Sequence, residues 1–187
     1  MGAVTSPFMT KMMAQNLALY QSGEGVTASG VFYTPGSQYS IISGPFGSGW
    51  FSPTGSGITM DLIIAVMLFS KRDDFKAIAK LAIPCGIFNI NEPIIFGIPM
   101  VMNPMFAVPF FLAPIACVCC GYLVQSLGLC PLFVIDVPWT TPVGLFGFLA
   151  SSGNIMGAIW QAVIILGVST LIYTPFVIAA NRQEAAA

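Results

Sequence analysis

The chain has 187 residues, of which 56% are hydrophobic and only 7% are charged, and its mean hydropathy is +0.86. Soluble domains carry about 25% charged residues, so the composition excludes that class and predicts a chain embedded in a lipid bilayer. The net charge of −1, without a basic patch, excludes a nucleic-acid partner. Because the chain has no histidine, a Ser-His-Asp hydrolase is excluded as well.

The first predicted element is a short helix over residues 8–21. Its apolar side chains, such as Met9, Met13 and Leu17, recur at helical spacing, and Gly23 follows its end. The residues near Met1 show no basic segment followed by an apolar core, so we expect no cleavable signal peptide.

Residues 23–57 form a long stretch of Gly, Ser, Thr and Pro with several aromatic side chains. No lasting periodicity is present, so we expect a loop; either it lines a sugar-binding cavity or it lies at the membrane interface. The segment 44–50 is not a phosphate-binding loop, because Trp50-Phe51 stands where that motif ends in Lys-Ser or Lys-Thr. We expect two regions: a short helix with this loop over 1–57, and a second region over 58–187.

Residues 58–70 form an apolar segment of about thirteen residues that contains Asp61, which is short for a full crossing of a bilayer. Residues 71–80 follow, and they hold four of the six basic residues. By the positive-inside rule this charged cluster is expected to be a cytoplasmic loop.

The segment 81–104 contains four prolines, which argue against one continuous helix and predict two half-helices that re-enter the membrane. Glu92 and Asp136 are the only formal charges between Leu81 and Asn181. A lone carboxylate in an apolar segment is a candidate functional group. Two interpretations stay open for Glu92: it binds the hydroxyl groups of a sugar, or it is a buried structural residue at a helix break.

Three more segments complete the predicted topology. Residues 105–124 and 155–180 predict transmembrane helices, and 130–153 contains a second proline-interrupted patch. The expected fold is therefore an all-α integral membrane protein with about three full transmembrane helices and two re-entrant or broken half-helix segments. Interrupted apolar segments beside full helices are typical of a transporter substrate site.

The five cysteines lie in apolar surroundings without histidine, and we expect small buried thiols rather than a metal site or a disulfide framework. We predict no cofactor, no metal and no catalytic residue. The cysteines are Cys85, Cys117, Cys119, Cys120 and Cys130.

Two motifs give the chain a family resemblance. The first motif is Phe88-Asn89-Ile90-Asn91-Glu92-Pro93, and the second is Val137-Pro138-Trp139-Thr140-Thr141-Pro142. Both are similar to motifs of the sugar-transporting IIC component of the bacterial phosphoenolpyruvate-dependent phosphotransferase system. The resemblance is to its lactose/cellobiose (diacetylchitobiose) family. Fainter matches lie at Gly55-Ser56-Gly57-Ile58-Thr59-Met60 and around residues 15–23.

The resemblance implies a permease component that binds and moves a disaccharide such as cellobiose, chitobiose or lactose across the inner (cytoplasmic) membrane. It is not itself an enzyme, because a partner IIB subunit phosphorylates the sugar, and its C-terminus is expected in the cytoplasm. The first motif is expected to face the second. The resemblance makes 58–187 a C-terminal substrate-binding transport domain. Its implied substrate-binding residues are Glu92, Asn89, Asn91, Trp139, Thr140 and Thr141.

The chain also departs from the family pattern. It resembles only the C-terminal half, so a missing N-terminal half or a homodimer partner is expected to complete it, and the family's site histidine lies upstream of Met1. Asp61 and Asp136 stand at unusual positions. Two alternatives remain open: an ion-coupled secondary transporter with Glu92 as its proton site, and an inactive truncated IIC fragment.

Overall fold

Helices make up most of the chain in the computed structural model, which describes residues 2–27, 30–98, 100 and 103–185. A π-helical segment joins the last two helices without interruption. The elements are α1 (Gly2–Ser22), β1 (Val26–Thr27), β2 (Gly30–Val31), α2 (Gly44–Trp50), α3 (Thr59–Phe69), α4 (Asp73–Ile87), α5 (Glu92–Gly97), α6 (Pro104–Ser126), α7 (Leu145–Ala150), α8 (Ile155–Ala162), the π segment (Val163–Ser169) and α9 (Thr170–Ala185).

Two of the described helices are long and apolar enough to cross a membrane: Pro104–Ser126, with 23 residues, and Ile155–Arg182, with 28. Both coincide with predicted transmembrane segments. The third predicted crossing corresponds to α3, which has only 11 residues. A helix rises 1.5 Å per residue, so α3 is roughly half the length of a 30 Å hydrocarbon core.

The region 23–57 is not a structureless loop, and this corrects the expectation from its composition. It contains the antiparallel pair β1–β2 and helix α2. The Trp50 side chain at the end of α2 is fully buried and stacks on Phe133, with ring centroids 5.3 Å apart and planes 6° from parallel. Tertiary packing of this aromatic pair therefore supports a helix that its glycines would disfavour.

A first hydrophobic core surrounds Trp50. It combines side chains from the 23–57 region with side chains from 117–165, including Phe133, Phe146 and Ile165. The expected regions 1–57 and 58–187 thus share one core, and their division into separate domains stays a prediction.

A second hydrophobic core lies among α3, α4, α5, the first half of α6 and α9. It contains Phe75 and Phe106, whose rings meet edge to face at 6.0 Å. The Arg72 guanidinium lies 3.8 Å from the centroid of the Phe75 ring and donates two hydrogen bonds to Asp74. These bonds lower the pKa of the exposed Asp74 carboxyl.

The charged cluster is only partly a loop. Helix α4 begins at Asp73, so residues 73–80 form its first two turns, which corrects the expectation of a loop over 71–80. Acidic side chains at positions 73 and 74 are favourable there because a helix N-terminus carries a partial positive charge.

Candidate functional site

The break between α4 and α5 is a helix C-terminus closed by backbone hydrogen bonds. The N–H of Asn89 donates to the carbonyl of Gly86, and the N–H of Ile90 donates to the carbonyl of Cys85, each at 3.0 Å. Asn89 has a φ of 66°, a left-handed conformation that Asn tolerates better than most residues. This Schellman motif ends α4 and turns the chain toward α5.

The side chain of Asn89 ties the first proline-interrupted segment to the second. Its amide nitrogen donates to the carbonyl oxygens of Trp139 and Thr141, the latter at 2.8 Å. The side chain is 3% exposed, so these bonds are shielded from water. The two segments, which we expected to face each other, are therefore in direct contact.

Asn91 links the same break to the turn that precedes α3. Its side-chain amide donates to the carbonyl of Ser56 at 2.9 Å. Gly55 lies in the same turn with a φ of 81°, and a Cβ atom there would come within 2.7 Å of the Asn91 amide and 2.9 Å of the Asn89 carbonyl. Only glycine at position 55 permits this approach.

Glu92, Trp139 and Thr140 present exposed side chains beside these bonds. Glu92 is the first residue of α5, and it is exposed within this chain, unlike the buried residue of the structural interpretation. Trp139 is 65% exposed, although its carbonyl accepts from the buried Asn89. An exposed carboxylate can accept hydrogen bonds from hydroxyl groups, and an exposed indole can stack on an apolar ring face.

The contact of Asn89 with Trp139 and Thr141 forms a junction between the two proline-interrupted segments. A cavity of about 170 Å³ adjoins this junction. Two buried polar atoms of its lining residues, Asn89 Oδ1 and Thr54 Oγ1, have no hydrogen-bond partner among the described residues. Ligand pockets for drug-sized molecules have volumes of about 300–1,000 Å³, so this cavity is too small for a whole disaccharide. It is lined by Thr54, Met60, Gly86, Ile87, Asn89, Pro142, Val143 and Leu166.

Sequence reasoning missed the contribution of residues 54–57 to the site. These residues matched a family motif, but no role was assigned to Thr54, Gly55 or Ser56. The available signal in the sequence was the pair of glycines Gly55 and Gly57. Their φ values of 81° and 77° belong to a backbone conformation that residues other than glycine rarely adopt.

The two remaining lone acids lie in opposite environments. Asp136 is exposed, whereas Asp61 in α3 is fully buried. The fully buried carboxyl therefore stands at position 61, whereas Glu92 is exposed.

The cysteines only partly follow the expectation of burial: Cys117 and Cys130 are buried and Cys119 is exposed. All five are free thiols. Among the described residues, no group of three or more His, Cys, Asp or Glu side chains could hold a metal ion.

Comparisons with known proteins identify relatives over nearly the whole chain. The cellobiose-specific EIIC component of the phosphotransferase system of Lactococcus lactis subsp. lactis (strain IL1403) is 43% identical over 139 residues, which are 72% of this chain and 27% of that protein. The lichenan permease IIC component of Bacillus subtilis (strain 168) is 36% identical over 184 residues, which are 98% of this chain and 38% of that protein.

A solved structure has the same fold. It is the crystal structure of the transporter ChbC, the IIC component from the N,N'-diacetylchitobiose-specific phosphotransferase system. The TM-score is 0.84 at 34% sequence identity, over 99% of this chain and 40% of that chain. This chain thus spans about two fifths or less of the length of these relatives.

The sequence profile of the family described as "Phosphotransferase system, EIIC" matches residues 1–114. More than half of the chain is covered by that match, and its fold is that of a solved IIC transporter. The chain therefore belongs to the EIIC family of the phosphotransferase system.

Proposed function

We propose that this chain forms the substrate-binding part of a membrane permease component of a phosphoenolpyruvate-dependent sugar phosphotransferase system. It binds a disaccharide such as cellobiose, chitobiose or lactose and moves it across the membrane. The relatives named for cellobiose, lichenan and diacetylchitobiose support this substrate class. The chain itself is a transport component, and a partner IIB subunit transfers the phosphoryl group to the sugar.

The observation that carries this proposal is the junction held by Asn89. Two proline-interrupted segments meet there through its hydrogen bonds, with the Glu92 carboxylate and the Trp139 indole exposed beside them. Fixed backbone with exposed polar and aromatic side chains suits recognition of a sugar, which presents hydroxyl groups at its rim and apolar faces to its ring.

The six predicted residues take different roles in this proposal. Glu92 accepts hydrogen bonds from sugar hydroxyl groups, Trp139 stacks on a sugar ring, and the Thr140 and Thr141 hydroxyls line the same surface. The amide nitrogens of Asn89 and Asn91 donate to protein carbonyls, so these two residues position the site. The Oδ1 atom of Asn89, which has no partner among the described residues, remains as an acceptor at the cavity.

The membrane arrangement follows from charge and helix length. The C-terminal part of α9 and the charged cluster lie at the same end of the molecule. The Asn181 side chain accepts a hydrogen bond from the backbone N–H of Lys71 and donates one to the carbonyl of Phe69, each at 2.9 Å. We place this end, with Arg182, in the cytoplasm. The two long helices cross the inner membrane, α3 contributes a third, shorter passage, and the proline-interrupted segments re-enter it.

The complete site extends beyond this chain in our proposal. The cavity of about 170 Å³ is too small for a disaccharide, and the relatives are more than twice as long. An N-terminal half, or a second copy of the chain, supplies the remaining wall.

A chimeric permease tests the function. The 184-residue match in the lichenan permease is replaced by this chain, and uptake of labelled cellobiose is measured in cells that lack the native permease. We expect uptake that requires phosphoenolpyruvate, yields phosphorylated sugar and resists an uncoupler. The lichenan permease with that segment deleted is the control.

Two results would contradict the proposal. Uptake that survives loss of phosphoenolpyruvate but collapses with an uncoupler would identify an ion-coupled transporter. A chimera that reaches the membrane and takes up no sugar would identify an inactive fragment.

A further inference from the structure

Asp61 is a fully buried acid that the proposed sugar site does not use. It is the third residue of α3 and its side chain has 0% relative exposure. The other acidic side chains that the structure describes are exposed: Glu24, Asp73, Asp74, Glu92 and Asp136. Asp61 therefore differs from the other described acids because side chains of this chain alone bury its carboxyl.

The neighbours of Asp61 are neutral hydrogen-bonding groups. Thr170, the first residue of α9, donates its hydroxyl to Asp61 Oδ1 at 3.4 Å, while Oδ2 has no partner among the described residues. Two titratable side chains lie nearby: the Cys117 thiol of α6, 3.1 Å from the hydroxyl of Ser169, the residue before Thr170, and the Tyr173 phenol of α9, three residues after Thr170. The phenol donates to the carbonyl of Gly57 at 2.6 Å.

No positive charge compensates the Asp61 carboxyl within the described residues. The ion pair found there joins Arg72 to Asp74, and neither Lys76 nor Lys80 of α4 is paired with Asp61. The remaining titratable groups on the packed helices α4 and α5, none of them in an ion pair with it, are Asp73, Asp74, Cys85 and Glu92.

The protonation state of this carboxyl depends on two free energies: the favourable effect of the helix N-terminus on an anion and the cost of burying that anion. Its place in the first turn of α3 favours an anion by about 0.3–1 kcal/mol, and by about 2 kcal/mol in partly buried geometries. Removing an ionised carboxylate from water without a partner costs several kcal/mol even after relaxation of the protein. A buried group in this position neutralises instead, so the carboxyl carries a proton.

The segments of chain that carry Asp61 and Thr170 border the cavity of the candidate site, although neither side chain belongs to its lining. Met60, which lines the cavity, precedes Asp61 in α3. Leu166, which also lines it, lies four residues before Thr170 and thus about one turn away. Thr170 also stands where the π segment passes into α9, and π-helical segments are frequent at functional sites.

We propose that Asp61 is a proton-binding site between α3 and α9. A proton taken up from solvent converts the carboxylate to a carboxylic acid. The neutral acid permits α3 to pack against α9, and loss of the proton leaves an uncompensated charge that separates the two helices. This site is independent of the proposed sugar chemistry, which can fail or succeed without it.

The pH dependence of thermal unfolding tests the site. The full chain and its Asp61→Asn variant, which mimics the neutral acid, are unfolded in detergent over a range of pH. The wild-type chain must keep a proton that its unfolded form releases, so its stability falls as the pH rises above the range where an exposed aspartate ionises. We expect the unfolding temperature of the wild type to fall relative to that of Asp61→Asn.

Asp73→Asn, which neutralises an exposed acid at the start of α4, is the matched control and should keep the wild-type pH dependence. If the unfolding temperatures of the wild type and of Asp61→Asn change in parallel with pH, the proposal is overturned.

Infrared spectroscopy of the folded protein provides a second measurement, which does not require Asp61→Asn to fold. At a pH where exposed acids are ionised, we expect a carboxylic-acid C=O band in the wild type and its shift in Thr170→Val, because the hydrogen bond from Thr170 is lost. Persistence of the band in Asp73→Asn completes the assignment. A wild-type spectrum with carboxylate bands alone would overturn the proposal.

Discussion

At the scale of single residues, Gln161 joins three parts of the fold through one buried amide. Its Oε1 atom accepts hydrogen bonds from the backbone N–H groups of Gly144 at 2.9 Å and Gly147 at 2.8 Å, and its Nε2 atom donates to the carbonyl of Gly49 at 3.0 Å. The first N–H groups of a helix lack partners within the helix. A side chain on α8 therefore caps α7 and fixes α2 beside it.

Replacement of Gln161 by leucine should destabilise the protein strongly. The change keeps the side-chain volume but leaves three backbone groups unpaired. The groups of Gly147 and Gly49 are buried, and each unpaired buried group costs about 1–3 kcal/mol. We expect a loss of at least about 2 kcal/mol in the free energy of unfolding, measured by denaturant titration in detergent. Gln21→Leu, at an exposed position, serves as the control; equal stability of the two variants would refute the capping role.

Asn89→Gly separates the side-chain bonds of Asn89 from its backbone conformation. Glycine adopts the φ of 66° without strain, so the variant loses only the hydrogen bonds to the carbonyls of Trp139 and Thr141. We expect a loss of about 1–3 kcal/mol in the free energy of unfolding and a weaker affinity for sugar in the chimeric permease. Unchanged stability and affinity would show that the two segments are held together by other contacts.

At the scale of elements, the packing of α2 against α6 depends on one glycine. A Cβ atom at Gly121 would lie 2.4 Å from the ring of Trp50, which is closer than real Cβ contacts. The indole is already stacked on Phe133 and fully buried. The close approach of the two helices therefore requires a residue without a side chain at position 121.

Gly121→Ala should lower the free energy of unfolding by about 1–3 kcal/mol, because overpacking forces the Trp50 ring or the helix to move. Gly167→Ala is the matched control, since it lies in the other long apolar helix and a Cβ atom there would meet nothing within 4 Å. We expect the control to be neutral or slightly stabilising. Comparable losses in both variants, measured by thermal unfolding in detergent, would contradict this packing.

The sequence predicted the long elements well, because their apolar stretches are strong signals. The helices Pro104–Ser126 and Ile155–Arg182 lie where apolar length placed them, and the prolines of 81–104 correctly indicated a break. Helix α2 was missed because its stability comes from the burial of Trp50 against Phe133, residues distant in sequence. No local pattern carries that information.

The candidate site was predicted in outline but not in detail. The motifs identified Asn89 and its partner segment, whose contact the structure contains. They did not show that Glu92 is exposed while Asp61 is buried. Both acids stand in apolar surroundings in the sequence, and burial depends on which helices pack over each position.

At the scale of the whole molecule, contacts between distant helix ends support the proposed membrane topology. Asn181, near the end of α9, accepts from the backbone N–H of Lys71 and donates to the carbonyl of Phe69. The charged cluster and Arg182 thus lie at one end. The far end of α6, at Leu127, is separated from its start by a helix of 23 residues, about 35 Å at 1.5 Å per residue.

Single cysteines test this topology in a form of the chain whose native cysteines are replaced. Lys80→Cys and Arg182→Cys should react with a membrane-impermeant maleimide only in inside-out vesicles, and Leu127→Cys only in right-side-out vesicles. All three side chains are exposed, so burial does not limit labelling. Labelling of Lys80→Cys and Arg182→Cys from opposite sides would contradict the arrangement.

In the proposed function, the junction beside Asn89 binds a sugar through Glu92. The most direct measurement is the affinity of the chimeric permease for cellobiose, determined by titration for the wild type, for Glu92→Gln and for Glu24→Gln, an exposed acid outside the junction. A hydrogen bond to a charged group contributes about 1.5–3 kcal/mol, so Glu92→Gln should weaken binding roughly 10- to 100-fold while Glu24→Gln leaves it unchanged. Wild-type affinity in Glu92→Gln would contradict the account.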